Sequence, residues 1–152
     1  MTPGPDTGPD VRVAPFAELD PRTAYQLWAL RAEVFVVEQD CAYQDLDGRD
    51  LEPGTRHVWV EDDGTPVGYL RLLDDGEHQR IGRVVVAAPH RGRRLAETLM
   101  RAALDLVGEQ PSRLEAQSHL VGWYTRFGYH PAGPEYLEDG IPHTPMSHPA
   151  PR

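Results

Sequence analysis

The chain contains no Lys and no Asn, a single Cys at position 41, and Ile only at 81 and 141. One cysteine excludes an internal disulfide and any zinc site built on several thiolates. The missing Lys removes P-loop chemistry, which needs that ammonium on a nucleotide's phosphates. Lys, Asn and Ile share A/T-rich codons, so their scarcity marks a GC-rich bacterial genome and not a chemistry. No apolar run approaches the ~20 residues that span a bilayer, which argues against a membrane partner. Met1-Thr2-Pro3-Gly4-Pro5-Asp6 lacks the basic start and apolar stretch of a secretory leader. A reducing, cytoplasmic setting is the expectation.

What is present suits one domain. The 152 residues are 39% hydrophobic, with 3 Trp, 6 Tyr and 3 Phe, enough for a single core. The net charge of −9 argues against nucleic acid as the main partner. That charge is unevenly placed. Twelve acids fall between Glu38 and Glu77 against three Arg, whereas His78 to Arg101 holds six Arg and one acid, Glu97. Two readings are open: two solvated faces, or a basic site for an anionic cosubstrate beside an acidic approach for a cationic substrate.

Residues 1–10 read as a flexible tail and 11–148 as one domain. Val11–Ala14 alternates as a first strand, and Asp20-Pro21 caps a helix over Arg22–Glu38 whose face is Leu27, Leu30, Val34 and Val37. His57–Glu61, Pro66–Leu73 and Arg80–Val86 read as strands joined by Asp-Gly turns. A helix follows over Arg93–Val107, with apolar positions Leu95, Leu99, Ala102, Ala103, Leu106 and Val107. Then come a strand over Arg113–Ala116, a short helix over His119–Phe127, and a strand over Tyr129–Ala132. Ile141–Met146 reads as a last strand that Pro142 and Pro145 confine to an edge or break. The order β-α-β-β-β-α-β-α-β-β predicts a mixed α/β sheet with a mostly antiparallel first half.

The segment joining the valine-rich strand to its helix carries the most chemistry. After Val84-Val85-Val86, the turn Arg91-Gly92-Arg93-Arg94-Leu95-Ala96 aims main-chain N–H groups and a helix dipole at one point, with three guanidinium groups around it. Cations usually avoid a helix start, so this reads as a pyrophosphate cradle. With one glycine it is no Rossmann fingerprint.

These residues resemble the acetyl-CoA motif Arg/Gln-x-x-Gly-x-Gly/Ala of the GNAT superfamily, with Arg94 where Gly is usual. A positive φ there would strain an Arg. The likeness continues through Leu30–Gln39, Tyr43–Gly48, Ala116–Leu120, Trp123–Tyr129 and Glu138–His143, and is similar to the ElaA-type branch. It implies a GNAT-like acyl-CoA N-acyltransferase fold in which two parallel strands, here 80–86 and 113–116, splay to admit pantetheine. It also implies acetyl-CoA as cosubstrate and no metal, contacts from Val84, Val85, Val86, Gln117 and residues 91–96, and a possible homodimer.

By the same resemblance Tyr124 is the general acid, in the pattern Tyr-x-x-x-Gly that ends the short helix; read alone it is a packed aromatic. A phenol with pKa ~10 can protonate a departing thiolate without being ionised at neutral pH. Pro142-His143-Thr144-Pro145-Met146 is similar to the ending of glyphosate-type acetyltransferases, which implies His143 as the base. A surface histidine is the alternative, with His119, Glu38 or water in reserve, and His90, His130 and His148 as structural or exposed positions. Arg31, Glu38, Tyr43 and Asp45 match the acceptor-binding region, where Asp47 would also meet a cation. Asp45-x-Asp47-Gly48 is too short a carboxylate series for an EF-hand, and turn formation suits it better. Cys41 reads as a packed thiol.

The function implied is direct transfer of acetyl from acetyl-CoA to a primary amine of a small molecule. A non-catalytic acyl-CoA sensor and an enzyme acting on protein tails are the alternatives.

Overall fold

A computed structural model describes residues 10–40 and 44–149, leaving Cys41, Tyr43 and most of the expected tail outside the described residues. Strand β1 is Val11–Ala14. Helix α1 spans Pro21–Arg31 and starts where the sequence reads it: the Asp20 carboxylate accepts the Thr23 N–H at 2.8 Å and the Thr23 hydroxyl at 3.0 Å. The helix then widens into a π segment over Ala32–Glu38, closed by the Gln39 N–H donating to the Val34 carbonyl. The extra residue per turn rotates the apolar pattern. Val34 remains buried, while Val37, expected on the same face, is 75% exposed.

Strands β2 (Arg56–Asp62), β3 (Thr65–Asp74) and β4 (Gln79–Val86) form an antiparallel meander with β1. The β2–β3 turn puts Asp63 and Gly64 at φ 52° and 79°, the left-handed pair that a two-residue hairpin needs. Helix α2 (Leu95–Val107) crosses over to β5 (Ser112–Gln117), parallel to β4. Helix α3 (Val121–Thr125), β6 (His130–Pro131), β7 (Tyr136–Glu138) and β8 (Ile141–His148) complete the described chain. The sheet order is β1-β2-β3-β4-β5-β8-β6, with β7 also on β8.

Strand alternation sorts the core into two layers. Val58, Val60, Leu70 and Leu72 face α2, against Leu99, Met100 and Ala103. Trp59, Tyr69 and Val85 face α1, against Leu27, Leu30 and Val34. β2 and β3 are therefore covered on both sides.

The last strand corrects an expectation. β8 is no edge: it pairs with β5 on one side and with β6 and β7 on the other. Its prolines fall where no ladder bond is lost. Pro142 lies beyond the final β5 pair, Gln117 with His143, and Pro145 sits in the gap between β6 and β7. Gly133 bends around that proline, and a Cβ there would stand 2.9 Å from the Pro145 ring. Strand β7, absent from the sequence reading, is the near arm of a hairpin that turns at Asp139-Gly140.

Candidate active site

The parallel pair β4–β5 is short. Its register holds only Gln79 with Ser112 and Arg80 with Arg113, after which the strands part. β4 bulges where they separate: its register against β3 shifts by one residue between Tyr69 and Arg71, and Arg83 takes φ 53°. The opening is a cleft of about 510 Å³, walled by Val84 from β4, Leu114 and Gln117 from β5, Phe35 from the π segment and Gln39 just after it, and Tyr124 and His143. The splay expected between 80–86 and 113–116 is thus present, and a bulge accompanies it.

Beyond the end of β4 lies a second cavity of about 370 Å³, lined by Val86, Arg91, Gly92, Arg94, Leu95, Ala96 and Trp123 among others. Gly92 (φ 84°) and Arg94 (φ 60°) are both left-handed, so the chain does require at Arg94 the conformation that glycine adopts freely. No side chain caps α2, and its first-turn N–H groups have no acceptor within the helix. Those groups and the positive dipole end suit an anion.

The charged side chains are arranged less simply. Arg91 donates from Nε to the Val86 carbonyl at 3.1 Å and forks onto the Glu38 carboxylate at 2.5 and 3.0 Å. Arg93 is largely exposed, 4.0 Å from Asp62. Val85 turns its side chain into the α1 layer and lines neither cavity.

Tyr124 is 7% exposed, with Trp123 and Tyr129 set edge-on at 4.9 and 6.5 Å. Burial, with a smaller contribution from Tyr129, pushes its phenol up to about 12, so it keeps its proton throughout the neutral range. His143 lies across the cleft on β8. Its Nδ1 is 2.8 Å from the Ile141 carbonyl, which fixes Nδ1–H as the donor and leaves the Nε2 lone pair free in the neutral ring. Tyr136 stacks on it at 5.8 Å, and Glu138 stands 3.9 Å from Nε2. Of the other candidates, His119 is exposed and outside the cleft wall, and Glu38 is engaged by Arg91.

Two expected acceptor contacts lie elsewhere. Arg31 is 0% exposed, its Nε and Nη2 on Asp45 and its Nη1 on Asp50 at 2.7 Å. Asp45 also takes Arg83 at 2.8 Å, while Arg71 joins Asp47 at 2.6 Å to Asp50 at 3.0 Å. Three Arg and three Asp thus neutralise one another, with Arg31, Arg71, Asp45 and Asp50 buried and Asp47 and Arg83 at the rim. Burial works against the Arg31 charge, and Tyr69, Asp50 and Asp45 more than offset it. A hydrogen bond from Arg71 holds the Asp47 carboxyl well below the ordinary range. His57 closes the cluster from below, 2.7 Å from the Tyr69 hydroxyl and 3.0 Å from the Asp50 carbonyl. Arg31 and Asp45 are therefore interior ion pairs and not cleft walls; Asp47 borders the cleft with its charge already met. A signal was present: Arg31 falls on the Leu27/Leu30/Val34 stripe, and Arg71 interrupts an apolar strand. A charge in such a place needs a buried partner. Among the described residues no group of His, Cys, Asp and Glu is placed to hold a metal.

A splayed parallel pair in a mixed sheet, with an uncapped helix start at its mouth, is the architecture of the acyl-CoA N-acyltransferases. Residues 21–149 match the acetyltransferase (GNAT) domain family. The UPF0039 protein Rv2851c of Mycobacterium tuberculosis is 47% identical over 137 residues, 87% of this chain and 88% of that one. Protein ElaA of Escherichia coli is 42% identical over 140 residues, 86% of this chain and 90% of its own. Its crystal structure superposes with a TM-score of 0.87 at 38% identity, covering 92% of this chain and 99% of that one. An acyl-CoA N-acyltransferase from Pseudomonas aeruginosa superposes at 0.84 with 42% identity, over 91% and 99% of the two chains. The chain belongs to the GNAT acetyltransferases, in their ElaA-type branch.

Proposed function

We propose that residues 11–148 act as one catalytic domain that transfers an acetyl group from acetyl-CoA to the primary amine of a small molecule, by direct attack in a ternary complex. The observation that carries this is the parting of β4 and β5 after two residue pairs, which opens the cleft lined by Tyr124 and His143, while the same β4 leads at its end to the cavity at the uncapped start of α2. A pantetheine arm would lie along the free edge of β4 at Val84 and Val86, with Gln117 opposite. The pyrophosphate would meet the N–H groups of residues 92–96, with Arg93 and Arg94 adding charge. Two of the relatives support this choice of cosubstrate: the Pseudomonas protein is described as an acyl-CoA N-acyltransferase, and a fold neighbour, an aminoglycoside 6'-N-acetyltransferase, is complexed with coenzyme A.

The residues suit each step. His143 Nε2 takes a proton from the acceptor ammonium, and the neutral nitrogen attacks the thioester carbonyl. A C–N bond forms, the C–S bond breaks, and the thiolate takes the Tyr124 proton. The proton left on the attacking nitrogen restores the phenol through solvent, and His143 releases its own proton to solvent. Because burial holds the Tyr124 phenol near 12, it enters every cycle protonated. Arg31 and Asp45 have no part in acceptor binding here; they support the wall that Arg83 and Asp47 present.

The test is thiol release from acetyl-CoA against a panel of primary amines, with acetylated products identified by mass. Amine-dependent release with a matching product is expected. Acetyl-CoA binding without release across small amines and peptides would instead make the chain a sensor.

A further inference from the structure

Glu38, the last residue of the π segment, and Gln39, the next in sequence, reach opposite sides of the cleft mouth. Glu38 receives the Arg91 fork, and the same guanidinium holds the carbonyl of Val86, the last residue of β4. Next in sequence, Gln39 accepts a bond from the Gln117 side chain at 3.4 Å, at the last residue of β5. Residues 38–39 therefore bridge the ends of the two strands that diverge to form the cleft. Arg91 and Val86 also line the cavity at the start of α2, so one guanidinium serves both the bridge and the anion site.

We propose that Glu38 is a positioning residue that acts through Arg91: it holds the guanidinium on Val86, and the phosphates of the cosubstrate compete with it for that group. The inference rests on the placement of acetyl-CoA proposed above. The physical ground is charge bookkeeping on one side chain. A guanidinium forked onto a carboxylate presents little net charge to a third group, whereas a pyrophosphate offers more negative charge and several acceptor oxygens. When Arg91 turns to the phosphates, the Val86 carbonyl gains a free lone pair for a pantetheine N–H, and Glu38 loses its partner at the rim beside Phe35 and Gln39. Cosubstrate binding and release of the bridge thus become one event, and the acceptor, which must pass that rim, follows.

The pair is exposed on both sides, so its coupling is modest. Removing the competitor should tighten coenzyme A binding by about three- to fivefold, the factor that a surface ion pair supports. Calorimetry with coenzyme A on four proteins decides it: wild type, Glu38→Gln, Arg91→Ala and the double variant. The expected result is tighter binding in Glu38→Gln and no effect of the same change once Arg91 is Ala. Equal tightening in both backgrounds would mean that Glu38 acts only as a distant negative charge, and weaker binding in Glu38→Gln would mean that it helps the phosphate site; either overturns the proposal. Absence of coenzyme A binding by wild type is a separate failure, of the site placement itself. A second readout guards against a merely structural effect: Glu38→Gln should raise the acceptor KM relative to kcat, which loss of packing at an exposed position would not do.

Discussion

Two arginine-rich regions flank the cleft, and they are built in opposite ways. In the turn at 88–97 the arginines are exposed at the rim of the cavity, while the parts best suited to bind are main-chain N–H groups that any sequence would carry. In the loop at 44–50 and the strands beneath it, the charges complete one another around a buried centre of Arg31, Arg71, Asp45 and Asp50, with Asp47 and Arg83 at its rim. The first region tolerates the loss of a side chain, because its geometry belongs to the backbone. The second does not, because removing one partner strands another charge in the interior.

The sharpest break of that contrast is Asp50→Ala, which abandons Arg31 and Arg71 together. A loss of about 3–5 kcal/mol in urea unfolding is expected; a loss below about 1 kcal/mol would mean that solvent reaches the cluster. Acid should weaken the same region. Arg71 depresses the Asp47 pKa in the folded chain, so its stabilisation is present above the ordinary carboxylate range and is lost as pH falls below it. Asp47→Asn should flatten that acid slope.

Next in size are the cleft residues. Tyr124→Phe keeps the ring and its aromatic neighbours, so stability and acetyl-CoA affinity should hold while turnover falls about ten- to ten-thousandfold. Unchanged kcat would make Tyr124 a packing residue. His143→Ala should lower kcat/KM about a hundredfold or more while acetyl-CoA affinity holds, because the proton acceptor at the cleft is gone. Unchanged kcat/KM in the variant excludes His143 as the base.

The exposed turn should respond least. Arg91→Ala with Arg93→Ala should weaken coenzyme A binding by about tenfold at low salt and less at high salt. Arg94→Gly should weaken binding less than that double change, since the N–H is retained and a single side-chain charge is lost. It should also raise stability by up to about 1 kcal/mol, as the left-handed strain on Arg exceeds the entropy that glycine adds. A destabilised variant would mean that the Arg94 side chain, not its backbone, is what the turn needs.

Local rules explain what was readable in advance. The Asp20 cap, the Asp-Gly turns, the alternation of β2 to β4 and the amphipathic α2 each depend on a few adjacent residues, and all appear close to the expected boundaries. The π segment was missed because one added residue per turn leaves the apolar spacing almost unaltered until Val37. β8 was misplaced because proline was weighed as a lost donor, without the register that puts each ring opposite a gap. Asp45 and Asp47 read from sequence as acceptor contacts or turn formers because their partners lie up to 38 residues away, at Arg31, Arg71 and Arg83. Long-range pairing of that kind leaves only an indirect trace, an Arg on an apolar stripe.

The proposed placement puts the cosubstrate on the free edge of β4 and the backbone of the α2 turn, with the acidic loop supporting the wall without binding. Amide hydrogen exchange with and without acetyl-CoA tests it directly. Added protection is expected at residues 84–86, 92–97 and 117–124, with 44–50 unchanged. Protection gained at 44–50 and absent from 92–97 would contradict the account.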